Sequence, residues 1–200
     1  MRYLALGDSY TVGEGAGERG SFADRIEEGR RSTVNGQRKP VDRRPSTVDR
    51  IATTGWTTGE LLVAVRAAQP QGPYDLVSLC IGVNNQYRGL PIEEYRREFS
   101  ELLALAIGFA GGAPRQVVVL SIPDWGVTPF AEGRDRAAIG EAIDAFNRAA
   151  EAETRRRGAR WVDVTGDSRR HPHDVVEDGL HPSAQAYARW ARLVADQLQS

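Results

Sequence analysis

The stretch Tyr3-Leu4-Ala5-Leu6-Gly7-Asp8-Ser9-Tyr10 decides how the rest of the chain is read. Its first half is an apolar run that begins almost at the N-terminus. Its second half is a turn of small and polar residues, which continues into Thr11-Val12-Gly13-Glu14-Gly15-Ala16-Gly17. A short apolar run closed by glycine reads as a strand buried on both faces, as in a parallel sheet. A serine at the carboxyl end of such a strand can hold its Oγ above the sheet edge with a free backbone N–H beside it. The ordinary alternative is a turn or a helix cap.

Working outward, strand-like runs recur at Val48 to Ala52, Leu76 to Ile81, Gln116 to Ser121 and Arg160 to Val164. Amphipathic segments separate them at Phe22 to Arg31, Thr58 to Ala68, Ile92 to Phe109 and Arg136 to Arg157, and a last one runs from Ala184 to Leu198. In that last segment Ala184, Tyr187, Ala188, Ala191, Val194, Ala195 and Leu198 follow the three-four spacing of a buried helix face. Alternation of strand and helix predicts an α/β fold, a three-layer α/β/α sandwich around a five-stranded parallel sheet of the flavodoxin-like kind, in one domain over residues 1–200. Ligands in such folds bind outside the carboxyl ends of the strands, where the strand order reverses. The polar stretch Thr33 to Ser46 reads as a surface excursion.

That edge is where the remaining polar signals fall. The second strand is followed by Thr53-Thr54-Gly55-Trp56, where glycine lets a backbone N–H approach a ligand and where a helix-entry turn also wants a small residue. The third is followed by Gly82-Val83-Asn84-Asn85-Gln86-Tyr87, in which an Asn amide can meet developing negative charge or simply shape a turn. Before the last helix comes Asp178-Gly179-Leu180-His181-Pro182-Ser183. A nucleophilic serine needs a general base, and the base needs an acceptor for its Nδ1–H, so Asp three residues before His can supply both from one loop. Read plainly, the same segment is a polar turn with Ser183 capping the helix.

Together these segments resemble the four motif blocks of the SGNH, or GDSL-type, hydrolases. Gly7-Asp8-Ser9 matches the first block, Gly55 the second, Gly82-Val83-Asn84 the third and Asp178 to His181 the fourth, so the resemblance extends over essentially the whole chain. It implies a serine ester hydrolase with Ser9 as nucleophile, His181 as general base and Asp178 as its partner. It also implies an oxyanion hole formed by the N–H groups of Ser9 and Gly55 and the side chain of Asn84. Tyr10 and Asn85 depart from the family's usual residues, and both are expected at the mouth of the site. Tyr10, Trp56, Tyr87, Trp125 and Phe130 are the candidates for an apolar substrate pocket, or else they cover helix ends and strand edges. The segment Ile122 to Phe130, with Pro123 and Pro129, is the expected lip.

Composition narrows the partners. The formal charge is −1 with both signs interspersed, which leaves no single-sign field for nucleic acid or an anionic membrane. No run is long and apolar enough to span a bilayer, and the N-terminus lacks a signal-peptide pattern, so the expected setting is cytoplasmic. Cys80, the one cysteine, lies in an apolar run and reads as core. No cofactor or metal is expected, although His171 and His173 could join His181 as ligands, and His173 competes with it as base. The expected partners are a small-molecule ester and water, with oligomeric state open. Short-chain acyl or lysophospholipid-like esters lead, beside carbohydrate O-deacetylation. A non-enzymatic nucleotide or flavin binder using Ser9 to Gly17 as a phosphate cradle is the reading from another class.

Overall fold

The computed structural model describes residues 1–32 and 47–199, so the stretch from Thr33 to Ser46 lies outside the described residues. Its strands are β1 (Arg2–Gly7), β2 (Thr47–Ala52), β3 (Leu76–Cys80), β4 (Val117–Leu120) and β5 (Arg160–Val162). They form one parallel sheet in the order β2-β1-β3-β4-β5. Every residue of β3 and β4 is buried, and so is all of β1 after Arg2, which is why these segments are apolar without alternation.

The chain leaves β1 for β2 on one side and reaches β3 on the other, so the order reverses between β1 and β3. Register pairs Gly7 with both Ala52 and Cys80, so the three segments that follow these residues emerge side by side. A hydrogen bond of 2.8 Å between Tyr3 Oη and Ser78 Oγ satisfies the two buried hydroxyls beneath this point.

The helices are α1 (Ser9–Val12), α2 (Phe22–Ser32), α3 (Thr58–Ala68), α4 (Val83–Tyr87), α5 (Ile92–Phe109), α6 (Arg136–Arg156), α7 (Thr165–Arg170) and α8 (Ala184–Gln199). One row consists of α2 packed on α8 and the other of α3, α5 and α6, which completes the α/β/α sandwich. Helix α3 starts with a capping box, in which Thr57 Oγ1 accepts from Glu60 N–H and Glu60 accepts from Thr57 N–H.

Several boundaries differ from the sequence reading. Gln116 belongs to a 3₁₀ turn rather than to β4. β4 and β5 both end early because Ser121 Oγ accepts the N–H groups of Val164 and Thr165 at 2.9 and 3.0 Å, turning the chain out of the sheet and into α7. The buried face of α8 is Ala186, Tyr187, Trp190, Ala191 and Val194, while Ala195 is exposed. Trp190 sets that rotation: its ring meets Tyr10, Phe22 and Tyr187, and its Nε1–H donates to buried Asp167.

Candidate active site

Ser9 is the first residue of α1, a helix too short to be read from periodicity. Asp8 caps it, its Oδ1 accepting Tyr10 N–H at 3.1 Å. Ser9 is 4% exposed, and its own N–H has no partner among the described residues. Asp8 is wholly buried and its Oδ2 is unpartnered. Burial pushes this carboxyl up to about 7, outweighing the hydrogen bond from Tyr10 N–H.

The next two segments converge on Ser9 through glycines that no other residue could replace without strain. Gly55 has φ +88°, and its N–H also lacks a partner among the described residues. Gly82 has φ +124°, and a Cβ there would lie 2.6 Å from the Tyr95 ring. That close approach starts α4 against the core and places Asn84 in its first turn. Asn84 Nδ2 donates to the carbonyl of Trp56 at 2.9 Å, which fixes the amide and leaves its second N–H uncommitted.

The Asp178 to His181 turn brings the candidate base and its expected partner together. Asp178 Oδ1 accepts the N–H groups of Leu180 and His181 at 2.8 and 2.9 Å, and Oδ2 meets His181 Nδ1 at 2.6 Å. Partial burial acts to raise the Asp178 carboxyl, but the hydrogen bonds from the imidazole and the two N–H groups prevail and hold it below its ordinary value. The carboxylate thus stays charged and favours the tautomer with the proton on Nδ1, leaving Nε2 as the basic nitrogen.

Ser9, Gly55, Asn84 and His181 all line one pocket of about 210 Å³. Tyr10, Tyr87, Trp125 and Phe130 form much of its apolar wall, together with Thr54, Val83 and Leu180. Two larger grooves, of about 500 and 490 Å³, lie along α6 and contain no histidine. Among the described residues no hydrogen bond joins Ser9 to His181, and such bonds commonly tighten only when substrate is bound. Tyr87, Trp125 and Phe130 touch one another with ring centroids 5.3 to 6.3 Å apart. Gln86 Oε1 accepts Trp125 Nε1–H at 2.7 Å and anchors the group.

Other expected residues are placed differently. Trp56 does not line the pocket with its ring; its carbonyl serves instead, as the acceptor for Asn84. Asn85 is not at the mouth but wholly buried, its amide bonded to Thr58 N–H and Thr58 Oγ1 at 3.0 and 2.8 Å, where it ties α4 to the start of α3. Tyr10 is also buried, its ring 5.8 Å from that of His181. His171 lies against Asp167, and neither it nor His173 lines the pocket. Of the glycines weighed as a phosphate cradle, two are packed against the chain: a Cβ on Gly13 would meet Ser21 at 2.6 Å, and one on Gly15 would meet Val176 at 2.7 Å, while one on Gly17 would meet open space.

Sequence reasoning missed what secures the dyad loop. Asp174 accepts from Ser183 through both its carboxylate and its carbonyl, and Val176 N–H donates to His181 O at 2.8 Å. Arg189 on α8 then pairs with Asp174 and Asp167. The only sequence signal was an arginine on an otherwise buried stretch of helix.

The GDSL-like Lipase/Acylhydrolase family model matches residues 5–189. No curated protein sequence matches the chain. Among solved structures, a lipase from a goat rumen metagenome is similar with TM-score 0.75 at 20% identity, covering 98% of this chain and 97% of that one. A variant of the acetyl-xylooligosaccharide esterase Axe2 from Geobacillus has TM-score 0.74 at 17% identity, covering 100% and 94%. The psychrotrophic esterase EstA from Pseudoalteromonas sp. has TM-score 0.70 at 15% identity, covering 99% and 96%. At these identities the likeness is one of fold. Among the described residues no helix is long and apolar enough to cross a membrane.

Proposed function

The chain belongs to the GDSL-like lipase/acylhydrolase family and is an ester hydrolase, and from that premise we propose that it cleaves short-chain carboxylic esters through an acyl-enzyme on Ser9. Family membership sets aside the non-enzymatic flavin or nucleotide binder.

In this reading Ser9 Oγ attacks the ester carbonyl as His181 Nε2 takes its proton. Asp178, bonded to Nδ1, holds the ring and stabilises the imidazolium. The carbonyl oxygen gains negative charge next to the N–H groups of Ser9 and Gly55 and the free N–H of Asn84. Collapse of the tetrahedral intermediate expels the alcohol, which takes the proton from His181. Water then enters, gives a proton to His181 and attacks the acyl group, and Ser9 recovers its proton as the acid leaves.

The observation that carries the proposal is the 2.6 Å contact between His181 and Asp178 in the pocket that Ser9, Gly55 and Asn84 also line. The close aromatic wall of Tyr87, Trp125 and Phe130 favours a compact acyl group over a long lipid chain. A series of 4-nitrophenyl esters from acetate to dodecanoate, with Ser9→Ala as control, tests it. The expected result is a kcat/KM maximum at short chains and none of this activity in Ser9→Ala. A rise toward dodecanoate would overturn the short-chain reading in favour of a lipid ester. Retained turnover in Ser9→Ala would remove Ser9 as nucleophile, and turnover of acetylated sugars far above acetate esters would favour the O-deacetylase.

A further inference from the structure

The aromatic wall carries a positive charge. The guanidinium carbon of Arg134 lies 5.2 Å from the centroid of Phe130, 5.5 Å from that of Trp125 and 5.6 Å from that of Tyr87, a distance at which the ring quadrupoles attract a cation. These are three of the rings that line the pocket with Ser9 and His181. Neighbouring arginines are committed within the protein: Arg88 to Gly55 O and Glu60, Arg136 to Gly126 O, and Arg169 to Asp124 and Asp144. The guanidinium of Arg134 has no hydrogen bond or ion pair among the described residues. The nearby carboxylate of Asp135 is occupied in capping α6, where it accepts Ala138 N–H at 3.0 Å.

Cation–π contact places this charge without consuming its donors. A guanidinium held among rings without a hydrogen bond retains five N–H groups in a planar fork, which matches a carboxylate or phosphate. We propose that Arg134 is a specificity-determining residue that selects esters carrying an anionic group, a carboxylate or phosphate, on the part of the substrate resting against the Tyr87–Trp125–Phe130 wall. This rests on the reading of the pocket as an esterase site. The wall supplies apolar contact to the substrate body, and Arg134 at its exposed edge meets the charge while that charge remains partly hydrated. The enzyme's preferred ester is therefore amphiphilic.

Two matched pairs test this and locate the anion. 4-Nitrophenyl hydrogen adipate against 4-nitrophenyl hexanoate puts the charge on the acyl side, and 4-acetoxybenzoate against 4-acetoxybenzamide puts it on the alcohol side. For an exposed pair of this kind the expected preference in kcat/KM is about fivefold for the anionic member of one pair. It should shrink at 0.5 M salt, because a solvent-exposed attraction is screened. In Arg134→Gln the ratio should collapse to about one, and Arg134→Lys should recover part of it. Calorimetric titration of 4-hydroxybenzoate and 4-hydroxybenzamide into Ser9→Ala, with and without Arg134→Gln, reads the same selectivity without turnover.

No anionic preference in either pair and equal binding of the two hydroxy compounds would overturn the inference. So would a preference that Arg134→Gln leaves intact. If instead Ser9→Ala still cleaves the neutral esters, the esterase reading of the site falls, whatever the ratio does.

Discussion

Arg189 Nη1 lies 2.6 Å from Asp174 Oδ2, and through this ion pair α8 holds the loop that presents Asp178 and His181. The same guanidinium bonds Asp167 through Nε at 3.0 Å, and Asp174 accepts from Ser183 at the far end of the loop. The antiparallel bridge between Val175 and Pro182 closes the segment. His181 is thus positioned by a chain of contacts that ends on a helix packed into the core.

Arg189→Met should damage both stability and turnover. It leaves Asp167, which is 3% exposed, and half-buried Asp174 without their cation, and breaking such a pair costs about 3 kcal/mol. Thermal unfolding should show a drop of several degrees. Below the new midpoint kcat should fall more than KM changes, since the loop that orients the proposed base is loosened while the aromatic wall is intact. A variant with parent-like unfolding and kcat would show that the loop holds its shape unaided.

Asn84→Ala separates the oxyanion role from the structural one. Loss of one oxyanion donor lowers kcat by about a hundred- to a thousand-fold. The lost hydrogen bond to Trp56 O is worth only about 1 kcal/mol. The expected result is a folded protein with KM near the parent value and a greatly reduced kcat. A kcat within about threefold of the parent would remove Asn84 from the mechanism.

Asp178→Asn keeps the shape of the turn but takes away the acceptor that fixes the His181 tautomer. In a triad of this type such a change lowers kcat by about ten-thousandfold. The Asp178 carboxyl is held below its ordinary value in the folded protein, so its stabilising effect is complete above the ordinary carboxylate range and is lost only as pH falls through the lowered folded value. The stability difference between parent and Asp178→Asn should therefore shrink as pH falls from about 5 to about 2. Urea unfolding across that range measures it. A difference that did not shrink there would mean that the Asp178 carboxyl is not stabilised by its partners in the folded protein.

How much of this was legible beforehand depended on length and on locality. β1 and β3 announce themselves because strands buried on both faces are apolar throughout, and their glycine exits mark the edge where the site forms. Helices of four and five residues, such as α1 and α4, complete too few turns to show a 3.6-residue period, so Ser9 and Asn84 were expected in loops. Neighbouring asparagines cannot be told apart by composition: Asn84 faces the pocket, whereas Asn85 points inward to bond Thr58. Trp56 acts through its carbonyl, which every residue type possesses. Arg134 and Arg189 find their partners through the fold, and their sequence neighbours give no sign of what the side chains will touch.

Asp8 offers a test of the site's electrostatics that does not depend on substrate. Its carboxyl, ordinarily near 3.8, is pushed up to about 7 by burial, with Oδ2 unpartnered. Between these two values the folded protein binds a proton that the unfolded chain does not, so this group's contribution makes stability decline as pH rises from about 4 to about 7 and then level off. Asp8→Asn keeps an oxygen to accept Tyr10 N–H and cannot ionise, so its stability lacks that decline. The midpoint of Asp8→Asn minus that of the parent should increase steadily between pH 4 and 7, even if the amide packs slightly worse at the acid end. Thermal unfolding of the two proteins in parallel at pH 4, 5, 6, 7 and 8 reads the difference directly, because groups common to both cancel. A difference independent of pH would mean that Asp8 shares its proton in the folded and unfolded states alike, and that the floor beneath Ser9 is more polar than its burial implies.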